Sequence, residues 1–134
     1  MEVTKPGRVP KISEIYDISD DAIPAVINDE EEINKRINIF PKAALEFDNG
    51  EKISYKEYIN SLSNPDCTDA LLRVYPKINI RNINEFINNM DEISDIRKEF
   101  YNIMLQKRYE LILTPAYEKA IDILNTKNFV RLMI

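Results

Sequence analysis

Hydrophobic residues recur at helical spacing throughout residues 94–124, and this segment shows the most extensive amphipathic pattern in the chain. One stripe consists of Ile96, Phe100, Ile103, Met104 and Leu111. A second stripe beside it consists of Tyr101, Leu105 and Ile112. Because the combined apolar face is wider than a surface helix needs, other elements must cover it. We therefore predict that residues 94–124 form the spine of the core.

The acidic first half of the chain contains signals for two short helices. Pro24 fits only the first turn of a helix, which predicts a helix from Asp21 or Ala22. The carboxylate of Asp29 can cap a second helix, and the glutamates that follow it favour the positive end of the helix dipole. This second helix must end before Pro41.

Three further capping signals follow in the middle of the chain. Ser54 and Glu57 have the spacing of a capping box, which predicts a helix from that point. Asn64 precedes a proline and can cap the next helix, and Asn79 or Asn82 can cap the one after. That last helix has an amphipathic stripe formed by Ile80, Ile83, Ile87 and Met90.

Thr114-Pro115 interrupts the predicted spine. Either Thr114 caps a new helix that Pro115 opens, or a single helix kinks there. Residues 128–134 are unusually apolar for a terminus, and we expect them to pack back on the core; the alternative is an exposed patch for a partner.

The remaining segments complete the predicted fold. Asp48-Asn49-Gly50 predicts a turn, because Asn-Gly readily adopts positive φ, and apolar residues on both sides predict a short β-hairpin near residues 43–53. The prolines within residues 1–11 predict an extended N-terminal arm. We therefore predict a mainly α (α+β) fold, with residues 1–134 forming a single compact helical domain.

The amino-acid composition limits the kinds of catalytic and metal-binding site that the chain can form. The chain has no histidine, one cysteine and two glycines, which argues against His-dependent catalysis, thiolate metal sites and glycine-rich phosphate loops. Neither G-x-x-x-x-G-K-[ST] nor the protein-kinase motif set occurs. We therefore predict a protein that is not an enzyme and that holds no cofactor or metal. A carboxylate-metal enzyme is the alternative that the many Asp and Glu residues leave open.

Net charge and cysteine content indicate which partners and which cellular compartment suit the protein. The net charge of −5 disfavours binding of nucleic acid through bulk electrostatics. One cysteine suits a reducing compartment, and no apolar run reaches the roughly eighteen residues of a membrane span, so we predict a cytoplasmic protein without membrane contact.

These observations favour a non-enzymatic helical module that binds another protein. One version is an acidic accessory or inhibitory factor for a basic partner, although helix dipoles alone explain the acidic segment 14–32. The alternative is a small nucleic-acid-binding or regulatory domain that uses a local basic patch. The candidate partner-binding residues are Asp20, Asp21, Glu30, Glu31, Arg97, Lys107, Arg108, Phe129 and Leu132.

Overall fold

The computed structural model describes residues 3–6, 18–38 and 45–133. Its strands are β1 (Val3–Pro6), β2 (Leu45–Phe47) and β3 (Lys52–Ile53). Its helices are α1 (Ile23–Ile27), α2 (Glu30–Asn38), α3 (Tyr55–Ser61), α4 (Pro65–Val74), α5 (Ile80–Asn88), α6 (Asp95–Arg108) and α7 (Thr114–Met133). The predicted mainly α (α+β) class is confirmed.

Short 3₁₀ turns and one π turn connect some of these elements. The 3₁₀ turns are Asp20–Ala22, which leads into α1, and Tyr75–Lys77, which follows α4. The π turn is Tyr109–Leu113, and it joins α6 directly to α7. None of the helices within the described residues is both long and apolar enough to cross a lipid bilayer.

The predicted hairpin forms β2 and β3. Gly50 has φ +84°, and its N–H donates to the Phe47 carbonyl at 3.0 Å, which closes the turn. The Phe47 and Tyr58 rings lie 6.5 Å apart, so the hairpin packs on α3. Strand β1 adds a third, antiparallel strand in the order β1-β2-β3, with a register irregularity between Val3 and Lys5. Residues 7–11 of the predicted arm lie outside the described residues.

Helix starts follow the local signals in the sequence. The side chains of Ser54, Asn64 and Asn79 each accept a hydrogen bond from a backbone N–H three residues later, at 3.0–3.2 Å. Asp29 Oδ1 accepts from the N–H of Glu31 at 3.0 Å, which places the start of α2 where it was predicted. Satisfying these otherwise unpaired N–H groups stabilises each helix by about 1 kcal/mol.

The main core cluster lies between α6 and two shorter helices, α1 and α2. Phe100 and Met104 of α6 are fully buried, as is Ile23 of α1. The other buried members of this cluster are Val26, Ile33, Ile37 and Ile112. The guanidinium of Arg36 lies 6.0 Å from the centre of the Phe100 ring, which adds a cation–π contact at the edge of the cluster.

Candidate functional site

The junction of α6 and α7 is a π turn that interrupts the regular α-helical hydrogen bonding. Thr114 has helical backbone angles, φ −61° and ψ −49°, so it does not cap a new helix as one sequence interpretation proposed. Its N–H donates to the carbonyl of Tyr109, five residues earlier, which is the hydrogen bond of a π turn.

Pro115 explains why the turn widens here. Proline has no N–H to give to the carbonyl four residues earlier, and its ring collides with that carbonyl in a regular α-helix. A wider turn relieves the collision without ending the helix. In addition, the Asn60 side-chain amide donates to the Ile112 carbonyl at 3.2 Å, which ties the π turn to α3.

The π turn shifts the buried face of the spine by one residue. Leu111, predicted to lie in the main stripe, is 37% exposed, whereas Ile112 beside it is 7% exposed. The buried face then continues through Ala116 and Ala120. The sequence prediction for Leu111 was wrong because it assumed a uniform α-helical period across this turn.

Three tyrosines stack beside the junction. The ring of Tyr75 lies between those of Tyr109 and Tyr117, with centroid distances of 5.1 Å and 4.3 Å. The Tyr75 hydroxyl forms a 2.8 Å hydrogen bond with Thr114 Oγ1. A hydrogen bond with Tyr75, together with partial desolvation, raises the pKa of Tyr109 above its usual 10.0. The stack therefore fixes the end of α4 against both halves of the spine.

An apolar cavity of about 260 Å³ lies next to this stack. Helix α4 forms one wall through Leu71 and Val74, and Ile59 of α3 contributes a second wall. Leu113 of the π turn and Ile78 complete the apolar lining. Almost all of the exposed lining surface is carbon, so the cavity favours an apolar occupant.

The predicted partner-binding residues do not converge on one place. Asp20 and Asp21 are exposed in the turn before α1, and Glu30 and Glu31 are exposed in the first turn of α2. Lys107 and Arg108 are half-buried in the last turn of α6.

Two predicted site residues, one acidic and one basic, bind each other. Arg97 donates to Asp20 Oδ1 through Nε at 3.0 Å and through Nη2 at 2.9 Å. Arg97 also donates to the Ile18 carbonyl. This pair fastens the segment before α1 to the first turns of α6, so Arg97 serves an internal contact in this structure.

The electrostatics of this pair predict an acid-sensitive contact. A hydrogen bond from Ser94, helped by Arg97, lowers the pKa of Asp20 from its ordinary value of 3.8. A carboxylate with a lowered folded pKa stabilises the fold above its unfolded pKa, and that stability is lost as pH falls through the folded pKa. We expect Asp20→Asn to be less stable than wild type at neutral pH, with the difference shrinking below about pH 4.

Urea unfolding at several pH values measures this difference. Asp21→Asn, which removes a charge from the same turn without touching the Arg97 pair, is the matched control. A stability difference for Asp20→Asn that stays constant down to pH 2 would contradict the assigned contact.

Helix α7 carries the apolar end of the chain away from the core. Phe129 is 62% exposed and Leu132 is 87% exposed, and every described residue from 122 to 133 is exposed. The expectation that this end packs back on the core was therefore wrong, and the alternative, that it offers an apolar surface to a partner, stays a prediction. Its exposed large apolar side chains are Ile123, Leu124, Phe129, Val130, Leu132 and Met133.

Comparison with known proteins found a curated relative and a solved structure that resemble this chain. No protein-family model matches the chain. A curated relative, "Serine/threonine-protein kinase CtkA" of Helicobacter pylori, is 38% identical over 110 residues, which is 81% of this chain and 34% of the relative. The match is to a kinase.

A solved structure agrees with the sequence match. The crystal structure of the Helicobacter pylori proinflammatory kinase CtkA superposes with a TM-score of 0.75 and 37% identity. The match covers 80% of this chain and 37% of the CtkA chain. The chain therefore spans about a third of the length of the relative that it matches.

These two findings contradict the functional prediction from sequence. The curated relative is named as a serine/threonine-protein kinase, and the solved structure is that of a kinase. The prediction of a non-enzymatic protein-binding module is therefore wrong, as is the prediction that the chain is not an enzyme. The nucleic-acid-binding and carboxylate-metal alternatives are not what these findings support either. Sequence reasoning missed the relation because it searched for phosphate-binding and catalytic motifs, whereas the likeness is distributed over 110 residues of a mostly helical chain.

Proposed function

We propose that this chain acts in the phosphorylation of serine or threonine residues of proteins, as the helical part of a CtkA-like kinase. The observation that carries the proposal is the agreement of sequence and backbone over four-fifths of the chain, at 38% identity and a TM-score of 0.75. At this level of identity, the shared fold and the shared sequence point to common descent.

Within such a kinase, the described helices would act as a rigid framework. The main core cluster is formed entirely by apolar side chains, and among the described residues no polar or charged residue is classed as buried. A close-packed apolar core resists deformation. Phosphoryl transfer depends mainly on positioning of the reacting groups, so a rigid support for the catalytic residues contributes directly to the rate.

The exposed end of α7 supports the same proposal. A helical segment with no packed face is only marginally stable in water, because most helical stability in proteins comes from tertiary packing. In the proposed kinase, the catalytic portion would cover Phe129 and Leu132. The cytoplasm, which the cysteine content favours, is the proposed location of the reaction.

A segment exchange tests the proposal. The part of the Helicobacter pylori kinase that this chain matches is replaced by the matching residues of this chain, and transfer of the γ-phosphate of ATP to a serine-containing acceptor protein is measured. We expect the exchanged kinase to retain activity within about tenfold, because a framework of the same backbone geometry keeps the catalytic groups in position.

The controls separate loss of fold from loss of function. An unrelated helical segment of equal length, exchanged at the same place, is expected to abolish transfer. An exchanged kinase that melts cooperatively at the temperature of the original, yet transfers no phosphate, would refute the proposed role.

A further inference from the structure

The apolar cavity beside the tyrosine stack has the properties of a ligand site. Its volume of about 260 Å³ exceeds that of the apolar cavities, about 150 Å³, that are known to bind benzene. It is widely open to solvent, and Val74 in its lining is 49% exposed, so a ligand can enter without unfolding of the helices.

The polar groups in the lining decide which ligand fits. The lining contains two side chains with a heteroatom, Cys67 and Tyr75. The Tyr75 hydroxyl already bonds Thr114 Oγ1 at 2.8 Å. A cysteine thiol is only a weak donor and acceptor. A charged or strongly hydrogen-bonding ligand would therefore lose its water contacts without replacement.

We propose that this cavity binds a small, uncharged aromatic or alicyclic molecule of about bicyclic size. Apolar side chains from α3, α4 and the π turn would enclose the ligand, and the stacked Tyr75 ring would form one wall. This site is independent of the kinase proposal, because the binding test contains no nucleotide and no acceptor protein.

The test compares two ligands of the same shape. Indene and indole are nearly isosteric, but indole carries an N–H, for which this lining offers only the weakly accepting Cys67 thiol and the already bonded Tyr75 hydroxyl. Binding to the full chain is followed by the methyl NMR signals of Ile59, Leu71 and Leu113. We expect indene to bind at least about tenfold more tightly than indole, because an unpaired N–H is costly to bury. Benzoate, which is charged, is expected not to bind.

Cys67 provides a second measurement. It is a free, half-buried thiol in the cavity wall, so a bound ligand should shield it from alkylation by iodoacetamide. We expect indene to slow alkylation in proportion to its occupancy and benzoate to leave the rate unchanged.

A larger side chain that fills the cavity should weaken ligand binding. Ala70→Leu places a larger side chain in the cavity, and Ala25→Leu on the exposed surface of α1 is the matched control. We expect indene affinity to fall at least tenfold in the first variant and to stay unchanged in the second. If Ala70→Leu does not fold, the comparison of indene with indole in the wild type tests the proposal.

Four results would overturn the proposal. Equal affinities for indene and indole would show that the lining does not select by polarity. Methyl shifts confined to residues outside the cavity, or unchanged alkylation of Cys67, would place the ligand elsewhere. Tighter binding of N-acetylphenylalanine amide than of indene would assign the cavity to a protein side chain instead of a small molecule.

Discussion

Phe100→Ala is expected to lower the free energy of unfolding by about 3–5 kcal/mol. The Phe100 ring is fully buried at the centre of the cluster shared by α1, α2 and α6. Its loss removes the apolar contacts with these helices and leaves a cavity that the close-packed surroundings fill only in part. Equilibrium unfolding in urea measures the difference.

Phe86→Ala is the matched control for this substitution. The Phe86 ring in α5 is 70% exposed, so its removal should change stability by less than about 1 kcal/mol. If both variants lost the same stability, Phe100 would not occupy the centre of the core.

Ile112→Asp is expected to unfold the protein or to cost more than about 4 kcal/mol. Ile112 is 7% exposed within the π turn and belongs to the apolar core cluster, so a carboxylate at this position would be buried among apolar side chains. Leu111→Asp, at the adjacent and 37% exposed position, is expected to cost much less, because its carboxylate can reach water. Thermal melting monitored by circular dichroism compares the two variants.

This pair of substitutions also tests the π turn itself. A regular α-helix through residues 109–113 would place Leu111 on the stripe of Phe100 and Met104, and Leu111→Asp would then be the more damaging variant. The reverse order of melting temperatures would therefore disprove the shift of the buried face.

Local signals predicted the helix starts better than they predicted the spine. Ser54, Asn64 and Asn79 cap their helices as expected, because a cap depends on residues only a few positions apart. The π turn is also held to α3 by the hydrogen bond from Asn60 to the Ile112 carbonyl, which is a contact across 52 positions of sequence. The periodicity of the sequence therefore could not predict that the buried position shifts by one residue, from Leu111 to Ile112.

Contacts between residues that are far apart in the sequence were also not predicted. Strand β1 pairs with β2, 39 to 44 positions away, through backbone groups that carry no signature in the residue types. Likewise, Arg97 was assigned to a surface for partners, although it lies against Asp20, 77 positions earlier. The apolar cavity unites residues from α3, α4 and the π turn, and no single segment of the sequence indicates it.

The two buried alanines of α7 have a mechanical consequence. Ala116 and Ala120 are almost fully buried where α7 meets α3 and α4, so main chains approach closely there and no long side chain can reorient to absorb a displacement. Met133 lies 13 residues beyond Ala120, about 20 Å along the axis at 1.5 Å per residue. A tilt of α7 by about 5° at Ala120 would therefore move Met133 by about 2 Å over that length. The same small tilt would therefore produce its largest displacement at the exposed apolar end of α7.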